Sequence, residues 1–230
     1  MRVLLFDLDG TLMLSGGAAR RAMDRAFAEL YGIADAFGGI VPDGKTDPLI
    51  FREIVTNHGL VVVDETAAFA ALAERYAHFL TDEMPRAPRA RLMPGVAELL
   101  DHLASHDDLA LGLLTGNFEP TARLKLGRFD LNRHFPFGAF ASDHAERERL
   151  VPVAVVRAEA HLGRKIGLGR HVVVIGDTPR DVACALVHGV TAIGVGASRY
   201  SVAELESAGA HHVLPNLEDI PAFMAAITSS

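Results

Sequence analysis

The sequence predicts an α/β protein, a doubly wound parallel sheet into which an α-helical unit is inserted after the first strand. Three observations predict this. Short apolar runs that end in, or lead directly into, Gly, Asp or Thr recur at residues 3–6, 109–115, 171–177 and 191–196. Helix-like segments alternate with the later runs, the pattern of a parallel sheet covered on both faces. Between the first run and the second, about eighty residues (14–91) pass with no strand-like pattern, far more than a connection inside a compact domain needs.

The elements follow in order. VLLF (3–6) is too short for a helix and uniformly apolar, as a strand buried on both faces should be. AARRAMDRAFAELYG (18–32), DPLIFREIVTNHG (47–59) and DETAAFAALAERYAHFL (64–80) have helical patterns. In the last of these Phe69, Leu72, Tyr76, Phe79 and Leu80 recur at helical spacing, which suits packing within a small bundle. The proline- and arginine-rich MPRAPRARLMPG (84–95) is the return linker. VAELLDHLA (96–104) is a helix, LALGLLT (109–115) the second strand, and another helix starts near Pro120. LVPVAVVRAEAHLG (150–163), HVVVIGD (171–177), DVACALVHG (181–189) and TAIGVG (191–196) complete the alternation, with His211 and His212 on a further apparent strand. The expected organisation is a core of residues 1–13 and 92–230 interrupted by a helical module of residues 14–91.

Composition narrows the function. Of 230 residues half are hydrophobic and 22% charged, as in an ordinary globular protein. The net charge of −7 argues against nucleic acid as partner. No stretch approaches the roughly 18 apolar residues of a membrane span. MRVLLFDLDG has too short an apolar run for a signal peptide, and one cysteine, Cys184, excludes an internal disulfide. A cytoplasmic protein is expected, with Cys184 acting as a small buried hydrophobe. The pattern specifies no oligomeric state.

In open α/β sheets ligands bind beyond the carboxyl ends of the strands, so the polar residues there are the candidates. The first strand ends in Asp7-Leu-Asp9-Gly-Thr11, and side chains two apart on an extended chain share a face. Two neighbouring carboxylates repel, which calls for a bound cation. Gly10 permits the sharp departure that leaves them facing the crevice. The second strand ends in Thr115-Gly116-Asn117, a hydroxyl, an amide and backbone N–H groups beside a helix start, which favours an anion. The later strand ends in Gly176-Asp177-Thr178-Pro179-Arg180-Asp181, adding two carboxylates. Oxygen-rich ligation near a phosphate is the habit of Mg²⁺. Asp177 or Thr178 before Pro179 would also cap a helix.

In this order the motifs DLDGTL, LLTGN and VVVIGDTPRD resemble those of the haloacid dehalogenase-like hydrolase superfamily. The inserted helices resemble the cap of its phosphoglycolate phosphatase and β-phosphoglucomutase branch. The resemblance extends from Met1 to about the last ten residues. It implies a phosphatase acting on a small phosphorylated metabolite, with Asp7 as nucleophile and Asp9 as general acid and base. It further implies Mg²⁺ held by Asp7, the backbone carbonyl of Asp9 and Asp177, supported by Asp181, with Thr115, Gly116 and Asn117 on the phosphoryl oxygens. The third motif of the family usually supplies a lysine, and HAERERLVP (144–152) has none. Arg147, which precedes a helical segment, is the best substitute and Arg149 the second; an arginine keeps the charge and adds a planar fork of donors.

GIVPDGKT (39–46) fits the written pattern of a nucleotide-binding P-loop. A true P-loop follows a buried strand, whereas YGIADAFG precedes this stretch and the stretch lies inside the helical module. In the capped phosphatase reading Lys45 instead meets an anionic part of the substrate. A phosphomutase resembling β-phosphoglucomutase is the alternative function; Thr11 favours the phosphatase, because the mutase relatives often carry Val there. A dehalogenase would have little need of Asp9, and a non-catalytic binding protein little need of the full acidic set.

Overall fold

A computed structural model describes residues 1–229. Strand β1 (Arg2–Phe6) is followed by β2 (Met13–Leu14) and three helices, α1 (Ala18–Tyr31), α2 (Asp47–Asn57) and α3 (Glu65–Glu83). The chain returns through β3 (Arg91–Leu92), which pairs antiparallel with β2, Met13 opposite Leu92 and Leu14 opposite Arg91. Alternation then begins with α4 (Val96–Ala104), β4 (Leu109–Leu114), α5 (Glu119–Gly127), β5 (Phe137–Ala139) and α6 (Leu150–Leu162). It ends with β6 (Val172–Gly176), α7 (Pro179–Leu186), β7 (Thr191–Val195), α8 (Val202–Ser207), β8 (His212–Leu214) and α9 (Ile220–Thr228). Six strands form one parallel sheet in the order β5-β4-β1-β6-β7-β8.

The apolar runs explain the sheet. Side chains alternate between its faces, and in β1 both sets are apolar, so both faces are buried. Leu4 and Phe6, with Val173 and Ile175 of β6, join one cluster completed by Leu99 and Leu103 of α4, Leu126 of α5 and Phe223 of α9. Val3 and Leu5, with Val172 and Val174, join the other, completed by Val151 and Val155 of α6, Val182 of α7 and Leu205 of α8. Phe6 lies edge-on to Phe135 and stacks on Phe223, with ring centroids 5.9 and 6.2 Å away. Burying such a ring contributes roughly 1.5–3 kcal/mol.

Helices α1–α3 pack through Phe27, Phe51 and Phe69, with Phe51 5.7 Å from Phe27 and 5.4 Å from Phe69. Their apolar residues are continuous with the first cluster. Sequence patterns locate all three helices to within a few residues. They do not reveal β5, three residues wedged after Pro136 that are too few to carry a period. Residues 33–46 contain no strand, so the Gly-Lys-Thr stretch lacks the setting of a P-loop. Thr46 instead caps α2, its hydroxyl accepting from the Leu49 N–H.

Because β1 lies between β4 and β6, the residues that follow these three strands, Asp7, Thr115 and Asp177, emerge side by side at one sheet edge.

Candidate active site

Asp7, Asp177 and Asp181 each bring a carboxylate oxygen within 4.8 Å of the others. All three are buried. Asp7 continues β1, its N–H donating to Ile175 O at 2.8 Å. Asp181 occupies the third position of α7, where it and Thr178 form a reciprocal cap: Thr178 N and Oγ1 donate to Asp181 Oδ2 at 3.0 and 2.7 Å. Thr11 Oγ1 donates to Asp177 Oδ1 at 3.1 Å. Between β1 and β6 the backbone presses in at Gly10, where φ is +93° and a Cβ would stand 2.2 Å from Asp177 Oδ2. Only glycine satisfies both demands.

One cation faces these acids directly. Arg147 begins the short 3-10 turn Arg147–Arg149 ahead of α6, and its Nη2 donates to Asp7 Oδ1 at 2.7 Å, to Leu114 O at 3.3 Å and to Asp181 Oδ1. Burial opposes its charge, but Asp181 and Asp7 more than offset that, leaving the guanidinium more firmly protonated than a free arginine. Arg149 pairs with Glu146 on the surface. Of the two sequence candidates, Arg147 is the one at the cluster. Even so, one guanidinium does not neutralise three carboxylates. Burial, with the neighbouring acids, pushes the Asp7 carboxyl up to about 7 and that of Asp177 up to about 8. Asp181 has its oxygens engaged by Thr178 and Arg147, so Asp7 and Asp177 are the carboxylates most available to a cation. A crowded, hard-oxygen donor set with excess negative charge fits a divalent metal ion.

Asp9 belongs to a different group. Its carboxylate lies outside the cluster: Oδ2 accepts from Lys125 Nζ at 2.6 Å and from Asn117 Nδ2 at 2.8 Å. Asn117 Nδ2 also donates to Thr115 Oγ1 at 2.8 Å, and its Oδ1 accepts from Lys125 at 2.6 Å. Lys125 is a site residue that the motifs do not contain. Helical periodicity offers a signal for it, because it shares the buried face of α5 with Thr121, Ala122 and Leu126, where a charge has no packing purpose.

The segment before α2 lands on this floor. Asp47 N–H donates to Gly116 O at 2.7 Å, Asp47 Oδ2 accepts from Phe118 N–H at 2.8 Å, and Thr46 Oγ1 donates to Ala145 O at 2.6 Å. Gly116 must be glycine for this approach, since a Cβ would lie 2.4 Å from Lys45 O. Burial pushes the Asp47 carboxyl up to about 7 against the pull of Lys125. The cavity left between, about 250 Å³, is lined by Asp7, Asp9, Lys125 and Arg147 on one side and by Met23, Phe37, Ile50 and Tyr76 on the other. Lys45 also lines it but is already paired with Glu53. Cys184 is buried beneath the site, its thiol pushed up to about 12 by burial, as suits a packing residue. The histidines contribute nothing to the one metal-capable cluster among the described residues.

Residues 1–189 match the family of haloacid dehalogenase-like hydrolases. The chain belongs to the haloacid dehalogenase-like hydrolase family. Within this family it is similar to phosphoglycolate phosphatase of Rhodospirillum rubrum, 28% identical over 225 residues that cover 89% of this chain and 84% of the relative. It is also 29% identical over 200 residues to tyrosine-protein kinase PtkA of Mycobacterium tuberculosis, covering 85% of this chain and 62% of that protein's length. Its fold is that of a hydrolase from Pseudomonas syringae, with a TM-score of 0.69, 24% identity and 98% of each chain covered. Among the described residues no helix is long and apolar enough to cross a membrane.

Proposed function

We propose that this hydrolase is a Mg²⁺-dependent phosphatase that cleaves a small phosphate monoester, phosphoglycolate-like in size, through an aspartyl-phosphate on Asp7. The observation that carries the reading is the contrast between two carboxylates two residues apart that enter one cavity. Asp7 lies among metal-capable acids and against Arg147, while Asp9 lies outside that cluster on Lys125 and Asn117. The first environment suits a nucleophile and the second a proton carrier.

In the first half-reaction an Asp7 oxygen attacks phosphorus, and the departing alcohol oxygen takes a proton from Asp9. In the second, Asp9 takes a proton from a water molecule that attacks the same phosphorus, which releases phosphate and restores the Asp7 carboxylate. Arg147 holds Asp7 in place and offers charge to the phosphoryl group; Thr115, Gly116 and Asn117 face its oxygens. Mg²⁺ held by Asp7, the Asp9 carbonyl and Asp177, with Asp181 supporting, would offset the repulsion between nucleophile and phosphate. Residues 14–91 serve as a cap over the core, placing Lys45 beside the leaving group and excluding water. The relatives' names, a phosphatase and a kinase, support phosphoryl chemistry in common.

The test is phosphate release from a panel of small esters with and without Mg²⁺. Wild-type release should require the metal and Asp7→Asn should lower it on the order of 10⁴-fold or more. Release that survives Asp7→Asn would refute the mechanism.

A further inference from the structure

We infer that Lys125 is a positioning residue for Asp9, and that it makes cleavage of esters with poor leaving groups depend on a lysine outside the family's motifs. The inference rests on the phosphatase reading. Lys125 is 2% exposed in the last turn of α5. Burying an ammonium is unfavourable unless partners compensate. Its partners are functional candidates: Nζ reaches Asp9 Oδ2 and Asn117 Oδ1, each at 2.6 Å.

The geometry then fixes Asp9. With Asn117 Oδ1 turned to the ammonium, its Nδ2 is directed at Asp9 Oδ2 and Thr115 Oγ1. Oδ2 of Asp9 thus receives two donors, at 2.6 and 2.8 Å, and the carboxylate cannot rotate without losing both. Oδ1 is left as the oxygen that exchanges a proton with the leaving group. Lys125 touches neither phosphorus nor leaving oxygen in this role; it sets where the proton carrier stands.

A leaving-group comparison tests this with the Mg²⁺-loaded enzyme. An alkyl phosphate needs its departing oxygen protonated, whereas p-nitrophenolate leaves unaided. The value of kcat/KM reports formation of the aspartyl-phosphate. For Lys125→Met it should fall about 100-fold or more with the alkyl ester, the scale of lost acid catalysis, and much less with p-nitrophenyl phosphate. In an Asp9→Asn background Lys125→Met should add little. An equal fall with both esters, or an undiminished further fall in the Asp9→Asn background, would overturn the inference. Should Lys125→Met fail to fold, Lys125→Gln, which keeps a shorter and neutral donor, replaces it; the fall should be smaller but still larger with the alkyl ester, and an equal fall with both esters again overturns the inference. If wild type releases phosphate from neither ester, the phosphatase reading fails and the inference with it; activity with an equal loss removes the inference alone.

Discussion

Two sides of the cavity are held by opposite means. On the floor, Asp7, Arg147 and Asp181 have side chains at most 6% exposed and bind one another through buried ion pairs. On the side of α2 and the loop before it, Lys45 and Glu53 are 19% and 39% exposed, and Arg199 meets Asp43 at 3.0 Å across the rim with the arginine 60% exposed. Buried charges are strongly coupled because removing one strands the others, while exposed pairs are screened and nearly independent. On the proposed function, the floor suits invariant chemistry, and the rim is where substrate preference could change at small cost to stability.

Arg147→Met tests the floor most severely. It leaves Asp7 and Asp181 buried without their cation and should cost about 3–5 kcal/mol at neutral pH. Urea unfolding should show a smaller loss at pH 5.5 than at pH 8, because the stranded acids can protonate. Equal losses would mean that the arginine matters for packing alone.

A milder effect needs no mutation. The Asp7 and Asp177 carboxyls stand at about 7 and about 8, above the roughly 3.9 of an unfolded aspartate. A folded-state value raised in this direction stabilises the protein below the unfolded value, and that stability is lost as pH rises through the folded one. Metal-free protein should melt several degrees lower at pH 8.5 than at pH 5.5, and added Mg²⁺ should raise the melting temperature more at pH 8.5. A metal effect independent of pH would separate the cation from these carboxylates.

The smallest effect is expected on the rim. Lys45→Ala should change stability by no more than about 0.5 kcal/mol. If the alcohol part of the substrate is anionic, KM for that ester should rise while p-nitrophenyl phosphate is unaffected. A large loss with both would move Lys45 from selectivity to the chemistry.

Strand ends made the floor legible in the sequence. Asp7, Thr115 and Asp177 follow apolar runs, and a parallel sheet must bring such positions to one edge. Arg147 was legible because it precedes a helix where a cation is wanted. Lys125 was visible only as a charge on an apolar helical face, a weaker signal than any motif. Asp47 opens the helical pattern of residues 47–59; its burial against Phe118 depends on how residues 42–47 dock, which no local pattern encodes. The three residues of β5 acquire their identity from pairing with β4 and have little of their own.

The strand order has a kinetic consequence. β1 leads the sheet in sequence yet pairs only with β4 and β6, at residues 109–114 and 172–176. Helices α1–α3 need no such partners to begin forming. Asp7 meets Arg147 only after both halves of the sheet have closed around β1, and loops of that length make such closure slow. The pairing of Asp7 with Arg147 is therefore assembled late in folding, and a chain arrested early can be rich in helix and lack the acidic site altogether.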